Sequence, residues 1–315
     1  MSSSTLSSST RRQPAARQET GHTYPPAAWR FIVDGLADGA TNMAIDEAIL
    51  STIVKGSSAP TLRFYAWSPP CLSLGRNQPL TDVDYAACHS AGISVVRRPT
   101  GGRAILHTDE LTYSVVLPQT DPRAVGDVVQ SYRQLSKGLL AGLHHMGVET
   151  AQAHDRRPKA AELTAVCFEM PSAYEITAHP HKTTGRREPP KTHGDRRANT
   201  GSRKLVGSAQ WRARGGVLQH GTLPLQGDIT RIVDYLAFAE DEREEQRGIL
   251  RQRATTLEEV LGRSVPFAEA ALNMAHGFSQ ALNLTLTPGS LTAREHALVT
   301  QYRDRYAVSG LPKSA

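Results

Sequence analysis

The spacing of apolar residues along the chain predicts several amphipathic helices. The clearest begins near Ala40, where Ile45, Ile49 and Ile53 form one apolar stripe that stops before Gly56. Further stretches share this periodicity. A long one, over residues 125–146, ends before Gly147, and glycine commonly terminates a helix. Helices are predicted over residues 40–55, 83–90, 125–146, 229–239, 268–282 and 291–306.

Shorter apolar or alternating stretches between these helices predict β-strands. The strands are predicted over residues 29–33, 61–66, 71–74, 93–97, 104–106, 111–117, 173–176 and 204–211. Many of them follow one another without an intervening helix. This order favours an α+β fold, with a mixed, largely antiparallel sheet flanked by helices and a helical C-terminal segment, over a doubly wound parallel sheet.

Two segments have compositions that predict disorder. The first twenty residues are rich in serine and poor in acids, which is typical of a disordered tail and also compatible with an organelle transit peptide. Residues 177–203 contain seven Lys or Arg, two acids and almost no apolar residues, so we expect a long, disordered basic insertion between two strands. We therefore divide the chain into a tail at 1–28, a main domain at 29–240 that includes this insertion, and a helical extension at 241–315.

Composition narrows the class of protein further. The hydrophobic content of 39% supports a buried core. The sequence contains no run of eighteen apolar residues, so we predict no membrane-spanning helix. The three cysteines form no CxxC pair, which argues against a disulfide framework or zinc ribbon and favours a reduced, cytoplasmic protein. A net charge of +6 is modest for this length, and a basic surface suits an acidic protein partner as well as a nucleic acid.

A glycine pair after a predicted strand is the first candidate binding feature. Residues 97–107 have the sequence Arg-Arg-Pro-Thr-Gly-Gly-Arg-Ala-Ile-Leu-His. Gly101 and Gly102 allow the backbone to approach a ligand closely, and Arg98 and Arg103 supply positive charge for a phosphate or carboxylate. The alternative is a tight turn with solvated arginines.

A β-hairpin over residues 204–221 is the second feature, with its turn near Gly215 and Gly216. Strand alternation places Lys204, Val206 and Ser208 on one face, and Leu205, Gly207 and Ala209 on the other. An inward-facing lysine could polarise a carbonyl or pair with a thiolate. The alternative is a surface lysine on an edge strand.

Cys167 is the third feature, because it has a plausible cationic partner in Lys204. A thiol is nucleophilic as the thiolate, and a nearby ammonium lowers its pKa. If the two side chains are neighbours, the protein can carry an acyl group as a thioester. The alternative is a small buried apolar residue, which is our interpretation of Cys71 and Cys88.

These three features together resemble the biotin/lipoate protein ligase superfamily, and most closely its cysteine-dependent octanoyltransferase branch. The resemblance rests on Arg-Arg-x-Thr-Gly-Gly-Arg-Ala-x-x-His at 97–107, Cys-Phe-x-x-Pro-Ser-x-Tyr-Glu at 167–175, Lys-x-x-Gly-Ser-Ala-Gln-x-Arg at 204–212 and Leu-Gln-His-Gly at 218–221. It extends from about residue 29 to the C-terminus, interrupted by the basic insertion. It implies the catalytic-domain fold of that superfamily.

The resemblance also implies an activity and its participants. The enzyme would move an octanoyl group from acyl carrier protein to a lysine of a lipoyl domain, such as glycine cleavage H protein. Cys167 would be the nucleophile and Lys204 the group that lowers its pKa. The implied substrate-binding residues are Arg98, Gly101, Gly102, Arg103, His107, Gly207, Ser208, Ala209, His220 and Gly221. We expect no ATP, metal, nucleic acid or membrane to be required, and a monomer or weak dimer.

Three alternatives remain at this stage. The first is an ATP-dependent lipoate ligase, which would release pyrophosphate; such ligases typically have a third glycine where Arg103 stands and no functional cysteine at the position of Cys167. The second is an amidotransferase that moves lipoyl or octanoyl groups between lipoyl domains. The third is a non-catalytic protein that uses the same pocket and the basic loop to bind an acidic partner or nucleic acid.

Overall fold

A computed structural model describes residues 23–152, 175–181 and 201–306 of the chain. Its α-helices are α1 (Gly39–Val54), α2 (Tyr85–Ser90), α3 (Val128–His145), α4 (Glu240–Arg253), α5 (Leu257–Leu261), α6 (Phe267–Leu282) and α7 (Ala293–Arg303). Its strands are β1 (Ala27–Ala37), β2 (Thr61–Trp67), β3 (Cys71–Leu74), β4 (Ser94–Arg97), β5 (Ile105–His107), β6 (Glu110–Pro118), β7 (Thr150–Gln152), β8 (Ile176–Ala178), β9 (Arg203–Ala213), β10 (Gly216–Pro224) and β11 (Leu284–Pro288).

An eight-stranded sheet forms the centre of the fold, in the order β11-β1-β2-β6-β10-β9-β8-β7. The two pairings that involve β1 are parallel, and the others are antiparallel. A smaller sheet has the order β4-β3-β5. The predicted fold class, a mixed and largely antiparallel sheet flanked by helices, is confirmed.

Helices cover both faces of the large sheet. On one face, α3 and α6 bury a core that includes Leu135, Leu139, Met274 and Phe278. On the other face, α1 packs against β6 and β10 and is itself covered by α7. Burial of these apolar stripes stabilises the fold by about 25 cal/mol for each square ångström removed from water.

The predicted apolar stripe of α1 is present, and the N-terminus of this helix is fixed by a capping residue. The carboxylate of Asp38 accepts a hydrogen bond from the backbone amide of Thr41 at 3.0 Å, which satisfies a free donor of the first turn. Ile45, Ile49 and Ile53 are all buried against the sheet. Asp46 lies among them and is completely buried, a departure from the apolar pattern that matters for the site.

Four parts of the C-terminal region differ from the prediction. Residues 229–239 do not form an α-helix, because Ile229–Tyr235 is a 3-10 helix whose Ile232 and Val233 pack on the small sheet. The short helix α5 was not predicted. Helix α4 was not predicted either, since its sequence is strongly polar and among its described residues it buries the side chain of Leu250 alone. Strand β11 was also missed; it extends the large sheet beside β1.

The ordered strands extend beyond the boundaries that we predicted for the basic insertion and the tail. Thr177 and Ala178 belong to β8 and Arg203 belongs to β9, so strand pairing continues into both ends of the predicted insertion. Tyr24 is buried and β1 begins at Ala27, which places the start of the fold before residue 29. Residues 1–22 and 182–200 lie outside the described part of the chain, and the division at residue 240 stays a prediction.

In the described ranges, no helix combines the length and the apolarity that crossing a membrane requires. The same residues contain no group of three or more His, Cys, Asp or Glu side chains arranged to hold a metal ion.

Candidate active site

The loop that contains Gly101 and Gly102, called the glycine loop, follows β4 and is held in place by Arg98. The guanidinium of Arg98 donates to the carbonyls of Gly101 at 2.9 Å and Arg103 at 2.7 Å, and to the carbonyl of Ser73 at 2.8 Å. Arg98 is only 4% exposed. Arg98 therefore supports the loop, and its assignment as a substrate-binding residue stays a prediction.

The loop lies unusually close to the residue that follows β3. A Cβ atom at Gly75 would stand 1.8 Å from the carbonyl oxygen of Gly102, so only glycine fits there. Gly102 itself has φ of +96°, which favours glycine, while a Cβ on Gly101 would meet no atom of the described residues within 4 Å. Arg103 lies 3.7 Å from the carboxylate of Asp82. Gly101 thus faces open space that a ligand can occupy.

His107 connects this loop to the start of β6. Its Nδ1 atom lies 2.6 Å from Glu110 Oε1, and its Nε2 atom lies 2.7 Å from the hydroxyl of Ser73. The ring stacks on Trp67, with centroids 3.9 Å apart. Because the Ser73 hydroxyl also accepts from Arg98 at 3.1 Å, His107 and Arg98 meet at one side chain.

His220 forms a second chain of hydrogen bonds that ends in the loop. Its Nε2 atom lies 2.7 Å from the hydroxyl of Thr100, and its Nδ1 atom lies 3.4 Å from Asp46 Oδ2. Burial, together with the charge of Arg98, lowers the pKa of His220 below 6.5 even though Asp46 acts in the opposite direction. The imidazole is therefore neutral at pH 7, donating to Asp46 and accepting from Thr100.

Asp46 is the acid on which this second chain depends. Burial acts to raise the pKa of Asp46, but the His220 hydrogen bond, the Arg63 guanidinium and the Ser114 hydroxyl outweigh it and keep the pKa below its usual value. Arg63 donates to Asp46 at 2.9 Å, and Tyr65 donates at 3.0 Å. A buried carboxylate with this many donors stays ionised and rigid.

The predicted hairpin is confirmed as β9 and β10, and its register brings the expected residues together. Ala209 pairs with His220, Ser208 with Gly221, and Gly207 with Thr222. A Cβ at Gly221 would stand 2.3 Å from the carbonyl oxygen of Gly207. The close strand approach therefore requires glycine at 221.

Ser208 takes part in a second polar cluster on the hairpin. Its hydroxyl accepts from Tyr113 at 2.7 Å, and Tyr113 accepts in turn from Gln219 at 3.1 Å. Burial raises the pKa of Tyr113 to about 12, so this phenol remains a neutral donor at physiological pH.

Lys204 is buried and forms an ion pair that the sequence analysis did not assign. Its Nζ atom lies 2.6 Å from Glu175 Oε1, and the two side chains are 4% and 7% exposed. The alternation predicted for this strand is interrupted, because Ile176 pairs with Val206 while Thr177 pairs with Lys204. Leu205 and Val206 accordingly both enter the same apolar core.

Cys167, the predicted nucleophile, lies outside the described residues, so its relation to Lys204 stays a prediction. The two described cysteines are poor nucleophiles. Burial raises the pKa of the Cys71 thiol to about 12 and that of Cys88 to about 11. They fit the interpretation of Cys71 and Cys88 as buried apolar residues.

Sequence reasoning missed the carboxylates and hydroxyls that hold the predicted residues in place. Two of them left a detectable signal: Asp46 interrupts an apolar helical stripe, and Glu175 ends the Cys167 motif. Thr100 is likewise a position of the 97–107 motif, although its partner His220 is distant in the sequence. Ser73 and Glu110 carry no comparable signal, because their roles depend on packing around His107.

The sequence of this chain is similar to that of known proteins. A family model for the lipoyl protein ligase A/B catalytic domain matches residues 38–279. A protein of Moorella thermoacetica named octanoyltransferase LipM is 41% identical over 289 residues, which cover 90% of this chain and 97% of that protein. A protein of the same name from Symbiobacterium thermophilum is 42% identical over 273 residues, which cover 85% of this chain and 91% of that protein.

Solved structures provide a comparison of the fold. The bipartite lipoate protein ligase of Thermoplasma acidophilum, studied with its E2 lipoyl domain, superposes with a TM-score of 0.69. The match covers 89% of this chain and 93% of that chain at 21% identity. At that identity the likeness concerns the fold.

Proposed function

Because this chain belongs to the lipoyl protein ligase A/B catalytic-domain family, we propose that it transfers an octanoyl group through a thioester on Cys167. The observation that carries the proposal is the 41% identity over 90% of the chain to a protein named octanoyltransferase. The buried Lys204 on β9 supports it, since a fixed cation is what a catalytic thiolate needs.

The first half of the reaction loads the enzyme. The Cys167 thiolate attacks the carbonyl carbon of the octanoyl donor, and a tetrahedral intermediate with a charged oxygen forms. That intermediate collapses, the donor's carbon–sulfur bond breaks, and the donor thiol leaves after taking a proton. We propose the phosphopantetheine of acyl carrier protein as this donor.

The second half delivers the acyl group to a lipoyl domain. The acceptor lysine, as the neutral amine, attacks the acyl-enzyme carbonyl and loses its proton as the amide forms. The Cys167 thiolate is regenerated as the leaving group. A thioester is less stable than an amide, so we propose that the transfer needs no ATP. Glycine cleavage H protein is the acceptor we propose.

The described residues contribute by shaping the place where the donor binds. Arg98 holds the glycine loop directly through the carbonyls of Gly101 and Arg103, and His107 is joined to Arg98 through Ser73. His220 holds the same loop through Thr100. Fixed backbone groups can stabilise developing charge without rearranging during the reaction. The space beside Gly101 is where the acyl carbonyl would approach this loop.

Mass spectrometry of the intact protein tests the proposal directly. After incubation with octanoyl acyl carrier protein and no ATP, we expect a gain of one octanoyl group that hydroxylamine removes. Cys167→Ala should abolish the hydroxylamine-sensitive gain. Transfer that requires ATP, releases pyrophosphate and survives in Cys167→Ala would contradict the proposal and favour the ligase alternative.

A further inference from the structure

The ion pair between Lys204 and Glu175 is built into the sheet. Glu175 directly precedes β8, and Lys204 lies on β9, where it pairs with Thr177. Strand pairing therefore sets the position of both backbones. The 2.6 Å contact joins residues 29 positions apart in the sequence, and both side chains are almost fully shielded from water.

Burial makes the carboxylate important for the charge of the lysine. An ammonium group removed from water without a counter-ion is strongly disfavoured and gives up its proton. A neutral amine would exert no attraction on a thiolate. A carboxylate at hydrogen-bond distance reverses this balance, because it stabilises the protonated lysine and fixes its direction.

We infer that Glu175 is a positioning residue that keeps Lys204 charged and oriented throughout the catalytic cycle. This inference rests on the proposed function, in which Lys204 acts on Cys167. The need is greatest in the acyl-enzyme, since the sulfur is then uncharged and no longer balances the ammonium. Glu175 supplies the compensating negative charge at that stage.

The direction in which Glu175→Gln changes the pKa of the Cys167 thiol distinguishes our inference from simple charge repulsion. Simple repulsion between a carboxylate and a thiolate predicts that Glu175→Gln lowers the pKa of the Cys167 thiol. Our inference predicts a higher thiol pKa, because Lys204 holds its proton less tightly when the charge of Glu175 is removed. Glutamine retains the size of the side chain and an oxygen that accepts a hydrogen bond, so charge is the main change.

The measurement is the rate of Cys167 alkylation by iodoacetamide as a function of pH, followed by peptide mass spectrometry. We expect Glu175→Gln to react about tenfold more slowly at pH 7, as for a rise of one unit in thiol pKa. Glu175→Asp keeps the charge and should recover at least part of the rate. Cys71 and Cys88 are internal references, since their buried thiols should remain unlabelled in the native protein.

A double-mutant cycle isolates the role of the lysine. In a Lys204→Gln background, the charge of Glu175 no longer supports a lysine and repels the thiolate, so the further change Glu175→Gln should accelerate alkylation. The same substitution would then have opposite signs with and without Lys204. A merely structural role for Glu175 predicts equal effects in both backgrounds.

Charge and folding are controlled separately. Glu269→Gln removes a carboxylate from an exposed ion pair with Arg263 and should leave the alkylation profile unchanged. Circular dichroism and thermal melting identify any variant that is unfolded, and Glu175→Asp then carries the comparison. A Glu175→Gln rate at pH 7 equal to or above that of the native protein would overturn the inference.

Failure of the inference can be told apart from failure of the proposed function. If the native protein does not acquire a hydroxylamine-sensitive octanoyl group on Cys167, the proposed function is wrong. If it does, and the Glu175→Gln profile is unmoved, only the role assigned to Glu175 is wrong.

Discussion

The Nε2 atom of His220 lies 2.7 Å from the hydroxyl of Thr100, and this contact joins strand β10 to the glycine loop. Both residues are buried. Asp46 holds the opposite side of the imidazole. The helix α1, the hairpin and the glycine loop therefore meet in one hydrogen-bonded chain, and its integrity should matter for acyl transfer.

Thr100→Val should slow formation of the acyl-enzyme about tenfold. Valine has nearly the same shape but leaves His220 without a donor, and a lost hydrogen bond costing about 1.4 kcal/mol corresponds to a tenfold change in rate. Quenched reactions with octanoyl acyl carrier protein, followed by intact-mass measurement, give the rate. Thr300→Val, on the exposed side of α7, is the matched control. Equal rates for native protein and Thr100→Val would contradict the role of this contact.

His220 should remain neutral at a pH where exposed histidines are protonated. Burial and the charge of Arg98 lower the pKa of His220 below 6.5. Its contribution to the free energy of unfolding is therefore present above pH 6.5 and is lost as the pH falls below that value, because the unfolded chain binds the proton more tightly. In an NMR titration, the His220 ring signals should shift at a lower pH than those of the exposed histidines; movement together with the exposed histidines would argue against this assignment.

Glu295→Gln should destabilise the protein at neutral pH and have little effect near pH 2. Burial acts to raise the pKa of Glu295, but Arg30 and the Thr292 amide outweigh it and bring the pKa to about 2. A carboxyl with a depressed pKa stabilises the fold above its unfolded pKa, and the contribution, roughly 3 kcal/mol, is lost as the pH falls from about 5 to 2. Urea denaturation across this range should show the two proteins converging.

Gly221→Ala should destabilise the hairpin by about 2 kcal/mol or more. The added methyl group would meet the Gly207 carbonyl at 2.3 Å and the Ser208 Cα at 2.9 Å, and backbone atoms cannot move aside cheaply. Gly248→Ala in α4, where a Cβ meets nothing within 4 Å among the residues that the structure describes, is the matched control and should stabilise by about 0.5–1 kcal/mol. Urea denaturation measures both, and similar free energies of unfolding would refute the packing argument.

Local patterns were sufficient to predict much of this fold. The helical stripe of α1 and the glycine-rich turn between β9 and β10 reflect periodicities carried within short stretches of sequence. Strand β11 and the 3-10 helix at 229–235 escaped prediction, because their conformation depends on pairing or packing with distant residues.

For the site, the sequence motifs predicted which residues are present but not which way their side chains face. Gly101, Gly102, His107, Lys204, Ser208 and His220 were selected from motifs, and the structure places His107 and His220 in chains that hold the glycine loop. Arg98 was selected for its charge, yet its guanidinium faces backbone carbonyls of the same loop. A motif identifies which residues occur together, but the direction of a side chain depends on what surrounds it.

By itself, the amino-acid sequence determined the class of fold, the family and the residue types available for acyl transfer, since each of these is written in short-range spacing and motif chemistry. Only the tertiary structure decided that Glu175 is the partner of Lys204, that Asp46 reaches His220 from α1, and that a bulge brings Leu205 and Val206 into one core. The physical reason is that these contacts depend on strand order, register and burial, which emerge when distant segments pack together.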